Sequence, residues 1–226
     1  MREPQMLLNL EDVVRPEHTA LILVDMQKDF CMEGFQCWEA GRDLGPAQSI
    51  IPCLKRLLEA ARRHGVLVIH VGFLTLRGHL SDSGPWLAQR RRSTYSSERV
   101  AMEGTEGIQF VDDLAPAEGE VVVYKHRYSG FTGTNLDLIL RSNGIKTTVI
   151  TGVSTNVCVE TTLRHAFELE YYVVLPQDCT ASWSETLRQA TLENVRRRFG
   201  HVCDSADIIR AWSNGPEQLE EEWTVR

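Results

Sequence analysis

The stretch Thr19-Ala-Leu-Ile-Leu-Val24 is apolar or β-branched at every position and ends on an acid, Asp25. Side chains on a strand alternate between faces, so a run without polar alternation predicts a strand covered on both sides. Four more runs of this kind follow, at Val66–Val71, Gly119–Tyr124, Lys146–Thr151 and Tyr171–Leu175, and a short one lies at His201–Cys203. Between them the period changes. Pro46–His64 carries Ile50, Ile51, Leu54, Leu57, Leu58 and Ala61 at helical spacing, and Gly65 stops it. Helices are also predicted over Thr134–Ser142, Asn156–Glu168, Ser184–Phe199 and Ser205–Trp212. Strands alternating with helices give an α/β fold in which helices cover both faces of a parallel sheet, a three-layer α-β-α sandwich.

With 226 residues and no internal repeat, the alternation is expected to form one domain over residues 1–226, its core spanning about 19–212. The long connection 72–107 breaks the rhythm, and it reads either as a lid or subunit-contact segment or as a surface excursion with one helical turn. The acidic tail, residues 213–226, reads as a solvated end. A net charge of −7 argues against a nucleic-acid partner. No apolar run approaches the ~20 residues of a membrane helix. The N-terminus lacks an apolar signal core, so a cytoplasmic location is expected. In that setting the six cysteines, Cys31, Cys37, Cys53, Cys158, Cys179 and Cys203, predict thiols rather than disulfides, and no C-x-x-C spacing suggests zinc.

Ligands of an open parallel sheet bind beyond the carboxyl ends of its strands. Asp25 and Lys125 each close a strand there, and Gly152-Val-Ser-Thr-Asn-Val-Cys158 leads from a strand into a helix. A helix N-terminus and an ammonium both favour the reactive thiolate, and a carboxylate can move the proton. Backbone N–H groups before Cys158 could hold an oxyanion. Taken singly, each residue has an ordinary explanation: a surface ion pair, or a core cysteine.

Three segments, LVDMQKDF (Leu23–Phe30), KHRYSGF with Thr134 and Asp137 after it, and TGVSTNVCVETTLRHA (Thr151–Ala166), resemble the isochorismatase-like cysteine hydrolases, and QDCTAS (Gln177–Ser182) fits as well. The resemblance runs from about Thr19 to Trp212. It implies a six-stranded parallel sheet and a catalytic triad of Asp25, Lys125 and Cys158. In that triad Cys158 is the nucleophile, Asp25 the proton carrier, and Lys125 holds thiolate and carboxylate in register. It further implies a cis peptide between Val153 and Ser154 that serves the oxyanion. Gln27 and Phe30 match positions that commonly line the pocket.

Trp86, Tyr128 and Phe131 are candidate substrate contacts, with core or subunit packing as the alternative. Arg90–Arg92 reads as a solvated or inter-subunit cluster, or as an arginine that reaches an anionic substrate. The nicotinamidase branch carries a metal on an Asp-x-His segment, and His70-Val-Gly-Phe-Leu-Thr-Leu-Arg-Gly-His79 lacks it, so no metal and no cofactor is expected. The motifs resemble most the ureidoacrylate amidohydrolases and related ureido and carbamoyl hydrolases. The resemblance therefore implies hydrolysis of a small amide, ureido or carbamoyl compound with release of ammonia, by a homodimer or homotetramer. A vinyl-ether hydrolase of the isochorismate type and a non-catalytic thiol or binding protein are the alternatives.

Overall fold

In the computed structural model, residues 6–92 and 98–214 are described. Strands β1 (Thr19–Val24), β2 (Leu67–Phe73), β3 (Val121–Lys125), β4 (Thr147–Val153) and β5 (Tyr172–Pro176) are joined by β7 (Gly200–Cys203) in one parallel sheet of order β3-β2-β1-β4-β5-β7. A two-residue strand, β6 (Thr180–Ala181), pairs with the end of β4 through Gly152↔Thr180 and Val153↔Ala181. The sheet thus has seven strands where six were expected. The extra one comes from the QDCTAS segment, whose short turn after Pro176 brings the chain back beside β4.

All six residues of β1 are fully buried, as an unalternating run requires. Leu21 and Leu23 pack toward a core built with Leu54, Leu57 and Leu58 of the helix Gly45–Arg63 and Ile208 and Trp212 of the helix Ser205–Asn214. Ala20, Ile22 and Val24 point the other way, toward Leu136 and Leu140 of the helix Leu136–Ser142, Leu163 of Glu160–Glu168, and Leu192 and Val195 of Glu185–Arg198. Period-two alternation of one strand therefore feeds both hydrophobic layers. No helix among the described residues is long and apolar enough to cross a membrane.

Two predicted elements differ in detail. The helix expected from Asn156 begins with one wide π turn, Thr155–Val159, before the α-helix Glu160–Glu168. The connection 72–107 holds a nine-residue helix, Gly84–Arg92, and is tied down by Thr75 N–H to Ala101 O at 2.8 Å and Ala101 N–H to the buried Asp29 carboxylate at 2.5 Å. Within it, residues 93–97 lie outside the described residues, as does all of the acidic tail beyond Asn214.

Glu120, just before β3, holds a half-buried polar cluster that no sequence motif marks. Its carboxylate accepts two bonds from Arg62, at 2.8 and 2.9 Å, one from the Ala117 N–H at 2.8 Å, and one from the fully buried His70 at 3.0 Å. Burial pushes the Glu120 pKa up, but the hydrogen bonds from Arg62, Ala117 and His70 outweigh it and hold the group at about 2. A depressed carboxylate stabilises the fold fully above its unfolded value near 4.5, and that contribution is lost as pH falls from there toward 2. Glu120→Gln is therefore expected to lose about 1–3 kcal/mol at neutral pH, with the gap to the parent closing below about pH 4. Denaturant unfolding across pH checks this, and a gap constant into acid would remove Glu120 from the role.

Candidate active site

The three segments singled out by sequence meet at the carboxyl ends of β1, β3 and β4. The chain leaves β1 through Asp25, whose backbone is left-handed at φ 55° and whose N–H bonds Val71 O at 2.8 Å. Few side chains adopt that conformation, aspartate more readily than most. It turns the carboxylate across the end of β2. Lys125, the last residue of β3, lies in register with Phe73 and reaches past β2, so that Nζ donates to Asp25 Oδ2 at 2.8 Å. Both side chains are almost wholly buried, at 0% and 3% exposure. At that depth, removing either partner strands a charge.

Beyond β4 the Val153–Ser154 peptide is cis. Just before it, Gly152 has φ +103°, and a Cβ there would stand 2.0 Å from Val24 O, so only glycine lets β4 run this close to β1 at the site. The π turn then carries Cys158. Its carbonyl accepts from Thr162 Oγ1 at 2.7 Å, and the same hydroxyl accepts from the Gly130 N–H at 2.9 Å. One buried hydroxyl thus fastens the cysteine turn to the loop that follows Lys125.

Cys158 and Asp25 border a cavity of about 90 Å³ whose other walls are Phe30, Cys37, Arg42, Phe73, Trp86, Arg90, Val100 and Tyr128. The rings of Phe73 and Trp86 (centroids 6.0 Å apart) and of Trp86 and Tyr128 (4.7 Å) form a continuous aromatic side. A larger hollow of about 570 Å³ lies between Pro46–Cys53 and Gln177–Arg188, but none of Asp25, Lys125 and Cys158 borders it.

Burial pushes the Cys158 thiol up to about 12; Lys125 pulls it down, and Asp25 pushes it up again. Asp25 is itself raised by burial against the pull of Lys125, while burial lowers Lys125 but Asp25 and Cys158 together outweigh it and hold the ammonium above its ordinary value. Desolvation thus outweighs the help that one ammonium gives the thiolate. Asp25 Oδ1 is buried and has no hydrogen-bond donor among the described residues, which suits it to accept the thiol proton when a reaction begins.

Of the predicted contacts, Phe30, Trp86 and Tyr128 line the cavity, and two do not. Gln27 is fully buried behind it. Its amide donates to Phe73 O at 3.0 Å and Ile108 O at 2.8 Å and accepts from the Phe73 N–H at 2.7 Å, so it fixes the strand end and the long connection. Phe131 packs in the core beside His165 and Tyr171, with ring centroids at 5.2 and 6.2 Å. In both cases a polar or aromatic residue beside a motif residue faces away from it. Phe73, Cys37, Arg42 and Val100 were not anticipated. Phe73 closes an apolar strand like any core residue, Cys37 lies on the one-turn helix Gln36–Glu39, and Arg42 and Val100 sit in loops without local pattern. Among the described residues, no group of three or more His, Cys, Asp or Glu side chains is placed to hold a metal ion.

A parallel α/β sheet with a cysteine, a carboxylate and a lysine gathered at its carboxyl edge defines an α/β cysteine hydrolase by architecture. The isochorismatase domain model matches residues 19–207, and the chain belongs to the isochorismatase family. A ureidoacrylate amidohydrolase of Agrobacterium fabrum is 37% identical over 86% of this chain and 90% of its own length. Among solved structures, a cysteine hydrolase from Pseudomonas syringae pv. phaseolicola superposes with a TM-score of 0.79 at 29% identity, covering 95% of this chain and 99% of that one. An N-carbamoylsarcosine amidase from Thermoplasma acidophilum follows at TM-score 0.66 and 28% identity, covering 83% and 96%. The chain is a hydrolase of the kind that acts on C–N bonds other than peptide bonds.

Proposed function

We propose that the chain cleaves the C–N bond of a small amide, ureido or carbamoyl compound through a covalent intermediate on Cys158, and releases ammonia. The observation that carries this reading is that Cys158 and a buried Asp25 with an open acceptor oxygen border one small cavity, with Lys125 bonded to Asp25 behind it. Asp25 takes the thiol proton as sulfur attacks the carbonyl carbon. The oxyanion that forms faces the backbone N–H groups of Ser154 and Cys158. Collapse breaks the C–N bond, Asp25 returns the proton to the departing nitrogen, and an acyl thioester remains. Water, giving a proton to Asp25, then attacks the thioester carbonyl, the C–S bond breaks, and Asp25 returns the proton to the sulfur, so that the acid product leaves and the thiol is restored. Lys125 keeps its charge throughout and holds Asp25 in place. A cavity of about 90 Å³ suits a small metabolite rather than a polymer.

The test is an ammonia-release screen over primary amides, ureido acids and carbamoyl compounds, with isochorismate run alongside for pyruvate. Ammonia from at least one C–N substrate and no pyruvate is the expected result. Pyruvate without ammonia would replace this reading with vinyl-ether hydrolysis.

A further inference from the structure

Ser182 ends the QDCTAS segment, none of whose residues borders the catalytic cavity, and yet it is tied to the Cys158 turn. It is 8% exposed, and its hydroxyl donates to Asn156 Oδ1 at 2.6 Å. Ser154 Oγ donates to the same oxygen at 3.0 Å. The Ser184 N–H, just before the helix Glu185–Arg198, donates to Ser182 Oγ at 3.2 Å and leaves that hydroxyl's own hydrogen for Asn156. A chain of three side chains thus runs from a helix N-terminus to Ser154, whose backbone N–H faces the oxyanion in the proposed reaction.

The backbone bonds of the turn restrain a different part of Ser154. The N–H groups of Val157 and Val159 donate to Ser154 O at 3.0 and 3.2 Å, which fixes the peptide after Ser154. The peptide that carries the Ser154 N–H lies before its Cα and turns with φ, which is −89°. The side chain branches from that same Cα, so a hydroxyl held on Asn156 resists the rotation. Strand pairing supplies the base, because Gly152↔Thr180 and Val153↔Ala181 bring Ser182 alongside Ser154. A polar network with its donors and acceptors matched holds one geometry where apolar packing would allow several. That precision has a use here, since an oxyanion donor acts only within hydrogen-bond distance of where the charge develops.

We infer that Ser182, acting through Asn156, is a positioning residue that sets the Ser154 N–H for the oxyanion. The inference rests on the covalent reading for the oxyanion itself. It gives the QDCTAS segment a task in the reaction without contact to the substrate.

Ammonia release is compared among the parent, Ser182→Ala and Ser182→Thr on the substrate that the parent turns over fastest. Ser182→Ala is expected to lower kcat about tenfold with KM held within about twofold, because a displaced oxyanion donor is felt only in the transition state. Ser182→Thr keeps the hydroxyl, its added methyl group has room in the larger hollow that Ser182 borders, and most of kcat should return. The second measurement needs no turnover. The Cys158 thiol adds to propionaldehyde: an S–C bond forms, the C=O π bond breaks, and the thiol proton ends on the new hydroxyl, whose oxygen takes the oxyanion position. Affinity is read by mass spectrometry as protection of the Cys158 peptide from iodoacetamide. It should weaken about three- to tenfold in Ser182→Ala, with alkylation in the absence of aldehyde within about twofold of the parent. Unchanged kcat and aldehyde affinity overturn the inference, as does a loss that Ser182→Thr fails to restore or one that falls on KM. Failure of the aldehyde to protect parent Cys158 also overturns it, since no oxyanion pocket then faces the sulfur. If Ser182→Ala does not fold, Asn156→Ala carries both measurements. Absence of ammonia from every substrate sinks the amidohydrolase reading alone, and the aldehyde arm then decides the positioning role by itself.

Discussion

Cys158→Ala is expected to abolish turnover, by at least about a thousandfold, with the fold intact. The residue lies at the mouth of the π turn and is only partly buried, so losing its sulfur removes little packing. The hydrogen bonds that hold the turn, from Thr162 to the Cys158 carbonyl and onward to Gly130, use the backbone and survive the change. Cys158→Ser should be almost as inactive, since a hydroxyl is far harder to deprotonate than a thiol in the same desolvated place. Steady-state ammonia release reads the loss, and mass spectrometry of the parent during turnover should show the acyl adduct on the Cys158 peptide. Wild-type release by Cys158→Ala would end the covalent mechanism.

Asp25→Asn separates two ideas of how the thiol is activated. Asp25 pushes the Cys158 pKa up and Lys125 pulls it down. With the carboxylate neutralised, the ammonium acts on the sulfur alone, and the midpoint for alkylation should fall. Turnover should nonetheless drop by about a thousandfold or more, because nothing remains to carry the proton to the leaving nitrogen. A more ionised and yet inactive cysteine is thus the expected signature. The substitution also strands Lys125, at a cost of about 3–5 kcal/mol, so thermal unfolding should accompany the alkylation series. A midpoint that rises would show that the carboxylate does not oppose the thiolate, and activity retained by Asp25→Asn would remove Asp25 as the proton carrier.

Much of this architecture was legible because it follows from pattern. The unalternating β1 could be stable only between two layers, and the helical period of Ile50 through Ala61 supplied one of them. Asp25, Lys125 and Cys158 could be placed at one sheet edge because each closes a strand or opens a helix and parallel topology aligns such ends, while their roles came from the family resemblance. The pocket walls were harder to read. Gln27 and Phe131 stand close to Asp25 and Lys125 in sequence, but chain direction turns their side chains into the interior. Arg90 sits in a polar run that reads as solvated, and only the folding-back of the long connection buries it. Charge and helix position can be seen in a sequence, whereas the desolvation that pushes the Cys158 thiol up depends on what closes over the group.

Lys125 ends an edge strand, and its partner lies two strands away across β2. Edge strands have a neighbour on one side only and are prone to fray. The ion pair therefore ties the least supported margin of the sheet to its centre, and the site is intact only while that margin stays zipped. Catalytic competence is in this sense a local gauge of the sheet, one that would register opening of the β3 border before the helical layers came apart.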